Sequence, residues 1–357
     1  MRPFEAGDVP QVAALHRRVF PLRGGRPVAA SDYDAYFREI FLSNPWQAPG
    51  PGSLVYEDGG EIAGFLGVVL RRMCLGDRPV WMAASSQFIV DPAHRGRLAG
   101  IALVRGLLEG PQDLTVADEA IDATRRLWEG LGGATASLYS LAWVKVLRPF
   151  EFALSRWRPG RTGWAAASRL GDALAARLPG SPFRPPAPDA AAEELNGDAL
   201  ASCLETLTRD RALRPAYDAA SANWLLDVLA RKPGLGTLRK VLVRDPRGEP
   251  AGWYLYAGAR GGLGEVIQLG ARREMTGTVL DHLCAQAWRD GIVALAGRVD
   301  AAHVDELASR HCLFHHRGYW TLVHARDARL LDVLNCGDAF LTRLEGEWCL
   351  RFRLEVA

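Results

Sequence analysis

The run Val90-Asp-Pro-Ala-His-Arg-Gly-Arg-Leu-Ala-Gly100 decides the fold of this chain. A β-like stretch leads into it, and a helical pattern at residues 101–108 follows it. Its proline and glycines predict a turn from strand to helix. The first N–H groups of a helix have no partner inside the helix and attract anions, so the run is either a phosphate site or only a strand-to-helix turn with Arg95 in solvent. Arg95 and Arg97 add positive charge there.

The rest of the first half alternates helical and β-like patterns around this turn. The predicted elements are a strand at Phe4, helices at Asp8–Phe20 and Ser31–Leu42, a hairpin at Leu54–Val69, a strand at Trp81–Val90, a helix ending at Leu108, a strand at Asp113–Val116, a helix at Asp122–Leu131 and a strand at Thr135–Val146. This order predicts helices that flank a mostly antiparallel sheet.

The second half repeats the same landmarks in the same order. The hairpin Leu54–Val69 has a counterpart at Leu242–Ala257, and Arg95–Gly100 has one at Arg272–Gly277. Each of the two turns follows a β-like run and precedes a helical one. Two landmarks placed alike predict a duplicated domain.

A proline-rich stretch separates the two halves. Because prolines cannot continue a helix or a central strand, we predict domains at 1–155 and 191–357 with a linker at 156–190. The linker has six arginines and two aspartates, and its helical part carries apolar side chains at the spacing of one face: Trp164, Leu170, Leu174 and Leu178. We expect this face to pack on the protein itself; contact with an anionic membrane is the alternative.

Composition narrows the class of protein. The chain has 357 residues, a hydrophobic fraction of 48% and a formal net charge of +2, which are typical of a globular protein and give no sign of nucleic-acid binding. Its longest apolar run is far shorter than the roughly 20 residues that span a bilayer. The six cysteines show no metal spacing. We therefore expect a cytoplasmic protein with free thiols and no metal.

The quoted turn, in this order of elements, resembles that of the GNAT acyltransferase superfamily. The pattern there is Val-x-Pro, followed by Arg/Gln-x-x-Gly-x-Gly/Ala. Val90, Pro92, Arg95 and Gly100 match it, whereas Leu98 stands where the middle glycine is usual. The resemblance implies an α+β fold of two tandem GNAT-like domains, each a central, mostly antiparallel sheet flanked by helices.

The resemblance also implies that the first domain binds acetyl-CoA, with the pyrophosphate at the helix N-terminus. The implied binding residues are Phe88, Ile89, Val90, Arg95, Gly96, Arg97, Leu98, Ala99 and Gly100. The second turn has Met275 at the middle glycine and lacks Val-x-Pro, so it is a weaker candidate for a cofactor.

In such enzymes, as the resemblance implies, an amine attacks the thioester directly and a general base removes its proton. Asp118 and Glu119 follow a predicted central strand and are the candidate bases, although either could instead cap the next helix. A tyrosine usually protonates the leaving thiolate, but Trp128 occupies that position and an indole is not an acid. Tyr139 is the possible replacement; a purely structural role at the sheet edge is its alternative.

The remaining polar residues give weaker signals. His303, His311, His315 and His316 fall on one predicted helix with Cys312, without a further metal ligand. The tail Gly337–Phe352 predicts a hairpin that closes the second sheet, in which Asp338 and Glu347 face either a cleft or solvent. His16 and His94 are expected at the surface.

The leading hypothesis is an N-acyltransferase that moves an acetyl group from acetyl-CoA to a primary amine of a small molecule, sugar or peptide. Two alternatives stay open. One is a non-catalytic binding or scaffold protein, which Leu98, Trp128 and Met275 favour. The other is an aminoacyl transferase of the FemAB kind, which does not need the coenzyme A turn but should carry a basic groove for transfer RNA.

Overall fold

The computed structural model describes residues 1–20, 29–46, 52–94, 98–157, 165–184, 187 and 190–352. Its helices are α1 (Val9–Val19), α2 (Ala30–Phe41), α3 (Ala99–Leu108), α4 (Asp122–Gly130), α5 (Pro149–Trp157), α6 (Ala165–Arg177), α7 (Gly197–Leu207), α8 (Ala219–Ala230), α9 (Thr276–Arg289), α10 (Val304–Ser309), α11 (Ala328–Asn335) and α12 (Glu347–Leu350). Among the described residues, every helix is too short or too polar to span a bilayer.

The strands form two mixed sheets. They are β1 (Arg2–Pro3), β2 (Leu54–Asp58), β3 (Glu61–Leu75), β4 (Arg78–Val90), β5 (Leu114–Ala120), β6 (Ala134–Thr135), β7 (Leu141–Val146), β8 (Ala191–Glu194), β9 (Leu213–Pro215), β10 (Thr237–Arg244), β11 (Pro250–Gly258), β12 (Leu263–Ala271), β13 (Ala294–Arg298), β14 (Leu313–His316) and β15 (Trp320–Ala325). The first sheet has the order β1-β2-β3-β4-β5-β15-β6, with β9 beside β3. The second has the order β14-β7-β13-β12-β11-β10-β8.

The two sheets share one plan, so the predicted α+β fold with two GNAT-like units is confirmed. In each sheet one parallel pair, β4 with β5 and β12 with β13, lies among antiparallel pairs. Each parallel pair is joined by a crossover helix, α3 in the first sheet and α9 in the second. The short strand predicted at Phe4 lies two residues earlier, and the predicted Thr135–Val146 strand is divided between β6 and β7.

Each sheet takes in strands from the other half of the chain: β7 joins the second sheet, and β9 and β15 join the first. Strand β7 comes from the first half of the chain but lies in the second sheet, between β13 and β14. Strand β15 comes from the second half but lies in the first sheet, between β5 and β6. The boundaries 1–155 and 191–357 stay a prediction, since each sheet takes a strand from the other segment.

A buried tryptophan shows how closely the core of the second sheet is packed. Trp253 is fully buried at the centre of the second sheet, and its indole N–H donates to Gln268 Oε1 at 2.8 Å. Gly270 lies under that indole, where any Cβ would collide with the ring. Burying a tryptophan contributes a few kcal/mol only if its N–H keeps a partner, and here it does.

The tail prediction is wrong. The segment after α11 forms no hairpin; it lies between the sheets and ends in the short helix α12. The carboxylate of Glu345 is fully buried and accepts the Thr342 N–H at 2.8 Å, which closes a turn where a strand was expected. Leu344, Trp348 and Leu350 are buried in the largest core cluster.

The predicted histidine helix is also wrong. Helix α10 ends at Ser309, and His311 adopts a left-handed φ of 58°, which a continuing helix cannot accommodate. His315 and His316 then lie on the exposed edge strand β14. In the part of the chain that the structure describes, no three histidine, cysteine, aspartate or glutamate side chains are placed to hold a metal ion.

Candidate functional site

A cleft opens in the first sheet between its two parallel strands. Strands β4 and β5 pair over Met82–Ala84 and Leu114–Val116, and then continue to Val90 and Ala120 without pairing, although the structure describes every residue of both. We call the space beyond the paired residues the β4/β5 cleft. Beyond the paired residues the backbone groups of the two strands do not bond to each other, and the Gln87 N–H donates to Glu347 instead.

Two residues in the left-handed backbone region shape this cleft. Gln87 on β4 has φ 54°, and Glu119 on β5 has φ 63°. Gln87 lies at a β-bulge, where the register of β4 against β3 shifts between Phe65 and Gly67. Bulges of this kind redirect side chains and end regular pairing. The bulge leaves the Gln87 N–H to bond outside the sheet.

The helices divide the cleft into two sides. A Cβ on Gly64 of β3 would meet Leu103 of α3, whereas one on Gly67 would meet the ring of Phe41 in α2. Residues three apart on a regular strand point to opposite faces. Helix α3 therefore covers one face of the sheet, and α2 covers the other.

On the α3 face the structure brings the predicted cofactor residues together. Gly100, in the first turn of α3, packs against Phe88 and Val90, since a Cβ there would lie 3.4 Å and 3.7 Å from their side chains. Ile89 and Ala99 are fully buried. Leu98, where a glycine is usual, points to solvent with 69% of its surface exposed and does not fill the cleft. Arg95, Gly96 and Arg97 lie outside the described residues.

In the second sheet an ion pair covers the N-terminus of the crossover helix α9. A Cβ on Gly277 of α9 would lie 2.7 Å from Arg310 Nη2 and 3.0 Å from Glu306 Oε2. The ion pair of these two side chains thus covers the place where a phosphate would bind. Arg272 is held by Asp245 at 2.6 Å. The cavity between β12 and β13 has a volume of about 40 Å³, which suits a few waters.

On the α2 face, residues 347–352 cover the β4/β5 cleft of the first sheet. The Tyr36 hydroxyl donates to the Leu350 carbonyl at 2.8 Å. Phe352 stacks on Tyr33, with ring centroids 4.4 Å apart. His16 contacts both Phe352 and Phe20, and Phe20 is 45% exposed, so an aromatic cluster reaches from the cleft to the surface.

Glu347 is the carboxylate best placed at the cleft. Its N–H donates to Asp118 Oδ1, and its Oε1 accepts the Gln87 N–H at 3.4 Å. Burial raises the pKa of Glu347 to about 7; Arg351 opposes this rise, and the neighbouring Asp118 and Glu119 carboxylates add to it. The side chain keeps 18% exposure, so a proton taken up there can reach solvent.

Asp118 and Glu119, the two predicted bases, have different surroundings. Asp118 is fully buried; one of its carboxylate oxygens accepts the Glu347 N–H, and the other accepts Arg298 Nη2 at 2.6 Å. It thus ties the first sheet to β13 of the second. Glu119 lies at the cleft, 15% exposed, with Arg351 Nη1 3.4 Å away. Their roles as bases stay predictions.

The two predicted positions for an acid lie away from this constellation. Tyr139 is in a turn before β7, not on a strand, and its hydroxyl donates to the Ala339 carbonyl and accepts the Ala339 N–H. Burial raises its pKa above the usual value. Trp128 is 2% exposed in α4. This geometry favours a structural role for both residues.

His16 is the residue of the site that sequence reasoning missed. It is 6% exposed rather than at the surface, and its Nε2 lies 2.9 Å from Gln87 Oε1. Burial lowers the pKa of His16 to about 4, so the imidazole is neutral near pH 7. The available signal was its place beside Val12 and Leu15 on the apolar face of α1.

Together the splayed parallel pair, the bulge and the crossover helix define the fold of the GCN5-related N-acetyltransferases, and the structural comparisons agree. A GCN5-related N-acetyltransferase from Anabaena variabilis is similar over 89% of this chain and 70% of its own, with a TM-score of 0.57 and 16% identity. One from Kribbella flavida matches over 92% and 71%, with a TM-score of 0.57 and 16% identity. Eis1 from Mycobacterium abscessus matches over 91% and 73%, with a TM-score of 0.51 and 15% identity.

At these identities the likeness is one of fold. No protein-family model matches the sequence, and no curated protein matches it significantly. The predicted resemblance is thus confirmed for the architecture, and the activity has to be argued from the residues of the cleft.

Proposed function

We propose that the chain is an acyl-CoA-dependent N-acyltransferase that moves an acetyl group from acetyl-CoA to a primary amine of a small molecule, sugar or peptide. The observation that carries the proposal is the β4/β5 cleft, which has a helix N-terminus at one side and a titratable carboxylate at the other. In the second sheet Arg310 and Glu306 cover the helix N-terminus, so the proposal is confined to the first sheet.

The residues on the α3 face fit the donor. The N-terminal amides of α3 would hold the pyrophosphate, and Phe88 and Val90 would flank the arm between the strands. Backbone N–H groups of β4 along the cleft would polarise the acyl carbonyl. Bound acetyl-CoA would supply the acyl group as a thioester, whose thiolate can leave without a protein acid. The inward position of Trp128 is then compatible with activity.

The residues on the α2 face would act on the acceptor. The amine would bind on this face, and Glu347 would remove its proton. A carboxylate with a pKa of about 7 is well matched to this task, because about half of it is ionised at neutral pH and the ionised form is still basic. Arg351, 3.7 Å from Glu347, would hold the ionised form in place. His16 would position the Gln87 side chain.

Binding of the donor can be tested by thermal unfolding with and without acetyl-CoA. The informative variant is Gly100→Asp, because a carboxylate in the first turn favours the helix but repels a phosphate. A ligand at 100 times its Kd stabilises by about 2.7 kcal/mol, a shift of a few degrees. We expect this shift in the wild type and in the control Gly100→Ala, and its loss in Gly100→Asp. Equal shifts in all three proteins would place the donor elsewhere.

A non-catalytic acyl-CoA-binding protein is the second candidate. It is favoured by the hydrogen bond from the Gln87 N–H to Glu347, which occupies an amide that an acyl oxygen could use. Thiol release from acetyl-CoA, followed with a panel of amines, separates the two. A thermal shift without turnover across small-molecule, aminosugar and peptide amines would support the binding protein.

A further inference from the structure

Helix α6 packs on the protein by its polar side, and its apolar side faces solvent. Its inward face carries Ser168, Gly171 and Asp172, and Asp172 is fully buried. Leu170, Leu174 and the following Leu178 are 63%, 56% and 61% exposed. The expectation that these leucines pack on the protein is therefore wrong.

The inverted arrangement has a local cause. The Asp172 carboxylate accepts the N–H groups of Phe150 and Glu151 at 2.7 Å and 3.2 Å, and so satisfies the N-terminus of α5. The Phe150 ring lies against Gly171, where a Cβ would come within 2.9 Å of it. Helix α6 is thus held on α5 by its polar and small side, which turns Leu174 and its neighbours outward.

The outward face is apolar, continuous and basic at its edges. The three leucines are spaced by four residues and extend over about 12 Å, and Phe150, whose ring lies against Gly171, is 52% exposed. Arg169 and Arg177 on α6 and Arg184 after it are exposed. Glu151 on α5 approaches Arg169 at 3.3 Å, and Asp172 points inward, so the described part of α6 presents no acid on this face.

We propose that this leucine face, consisting of Phe150, Leu170, Leu174 and Leu178, docks the protein on an anionic membrane surface. Amphipathic helices that combine exposed leucines with arginines bind the boundary between lipid headgroups and acyl chains. A second copy of the chain is disfavoured as the occupant, because pairing this face with itself brings arginines together, and the one acid described beside it, Glu151, already pairs with Arg169.

Flotation with two kinds of vesicle tests the docking. One contains phosphatidylcholine and phosphatidylglycerol in equal parts, and the other phosphatidylcholine alone. We expect the wild type to float with the anionic vesicles at low salt and to be released at high salt. The double variant Leu170→Ser with Leu174→Ser should bind at least about tenfold less. Arg169→Gln and Arg177→Gln should each lower binding about fivefold.

The control is Leu313→Ser, which removes an equally exposed leucine, at 62%, from the edge strand β14. It should bind like the wild type, and circular dichroism should show all variants folded. Wild-type protein that stays unbound, or that binds both vesicles equally, overturns the proposal. So does a wild-type dimer in light scattering that the double leucine variant converts to a monomer, because the face is then an interface between copies.

Discussion

Replacing Glu347 with glutamine tests the chemistry of the cleft most directly. If Glu347 removes the amine proton, its ionised fraction limits the rate below its pKa of about 7. The ratio of wild-type to Glu347→Gln kcat/KM should then fall about tenfold between about pH 8 and about pH 6. At about pH 8 the variant should be slower by about 100-fold or more. The ratio is used because ionisation of the acceptor amine cancels in it.

The same substitution should change stability with a definite sign. The folded state raises the pKa of Glu347 from 4.5 to about 7, so folded protein holds this proton more tightly than unfolded protein. Wild-type stability should therefore fall as the pH rises from 4.5 to 7, by about 3 kcal/mol at most. The glutamine variant should lack this component in urea denaturation. The stability that the glutamine variant gains at neutral pH should be partly offset, because its amide makes a weaker contact with the Gln87 N–H.

A matched control separates the two effects. Glu345 is a second buried carboxylate on the same segment, its pKa is also raised by burial, and it bonds to Thr342 and Gln268 rather than to the cleft. Glu345→Gln should change the pH dependence of stability but leave the pH dependence of the rate ratio flat. A rate ratio for Glu347→Gln that is constant with pH would refute the role as base, whatever the stabilities show.

Three further changes probe the frame around the site. Arg298→Met leaves Asp118 buried without its cation and should destabilise by about 3–5 kcal/mol in urea denaturation, part of which Asp118→Asn should restore. Gly270→Ala should cost about 1–3 kcal/mol in thermal unfolding, because its Cβ collides with Trp253; an unchanged Tm would contradict this packing. Because the pKa of His16 is lowered to about 4, stability should be lost as the pH falls from 6.5 to 4, and His16→Phe should not show that loss.

The strand–turn–helix at the centre of each unit could be predicted because its signals are local. The turn after Val90 and the start of α3 near Gly100 depend on neighbouring residues. The duplication was predicted because the same local patterns occur again, in the same order, in the second half. The strand exchange could not be predicted in this way. A strand such as β7 has the same apolar pattern whichever sheet receives it, so periodicity says nothing about its partner.

The candidate site was predicted only in part, because its contacts are distant in sequence. Asp118 and Glu119 were predicted to follow a central strand, and they lie on β5 beyond the residues that pair with β4. Glu347 could be named only as one of two acids that face either a cleft or solvent, since its partners Asp118 and Gln87 lie 229 and 260 residues away. The tail prediction was wrong because the buried carboxylate of Glu345 holds the segment in a turn. Acidic residues are rarely buried, and the sequence gives no sign that this one is.

The exchanged strands also set the order in which the molecule can be completed during synthesis. Strand β7 is made long before β13, its partner, and the edge of β5 stays unpaired until β15 leaves the ribosome. An unpaired edge of this kind is a template for association with other chains. Neither half can therefore reach its final form by itself during synthesis. The first sheet is complete only after β15, residues 320–325, has been made. If the gene is divided in the linker and the two halves are expressed separately, both fragments should be insoluble. A folded protein should form only when both halves are present together.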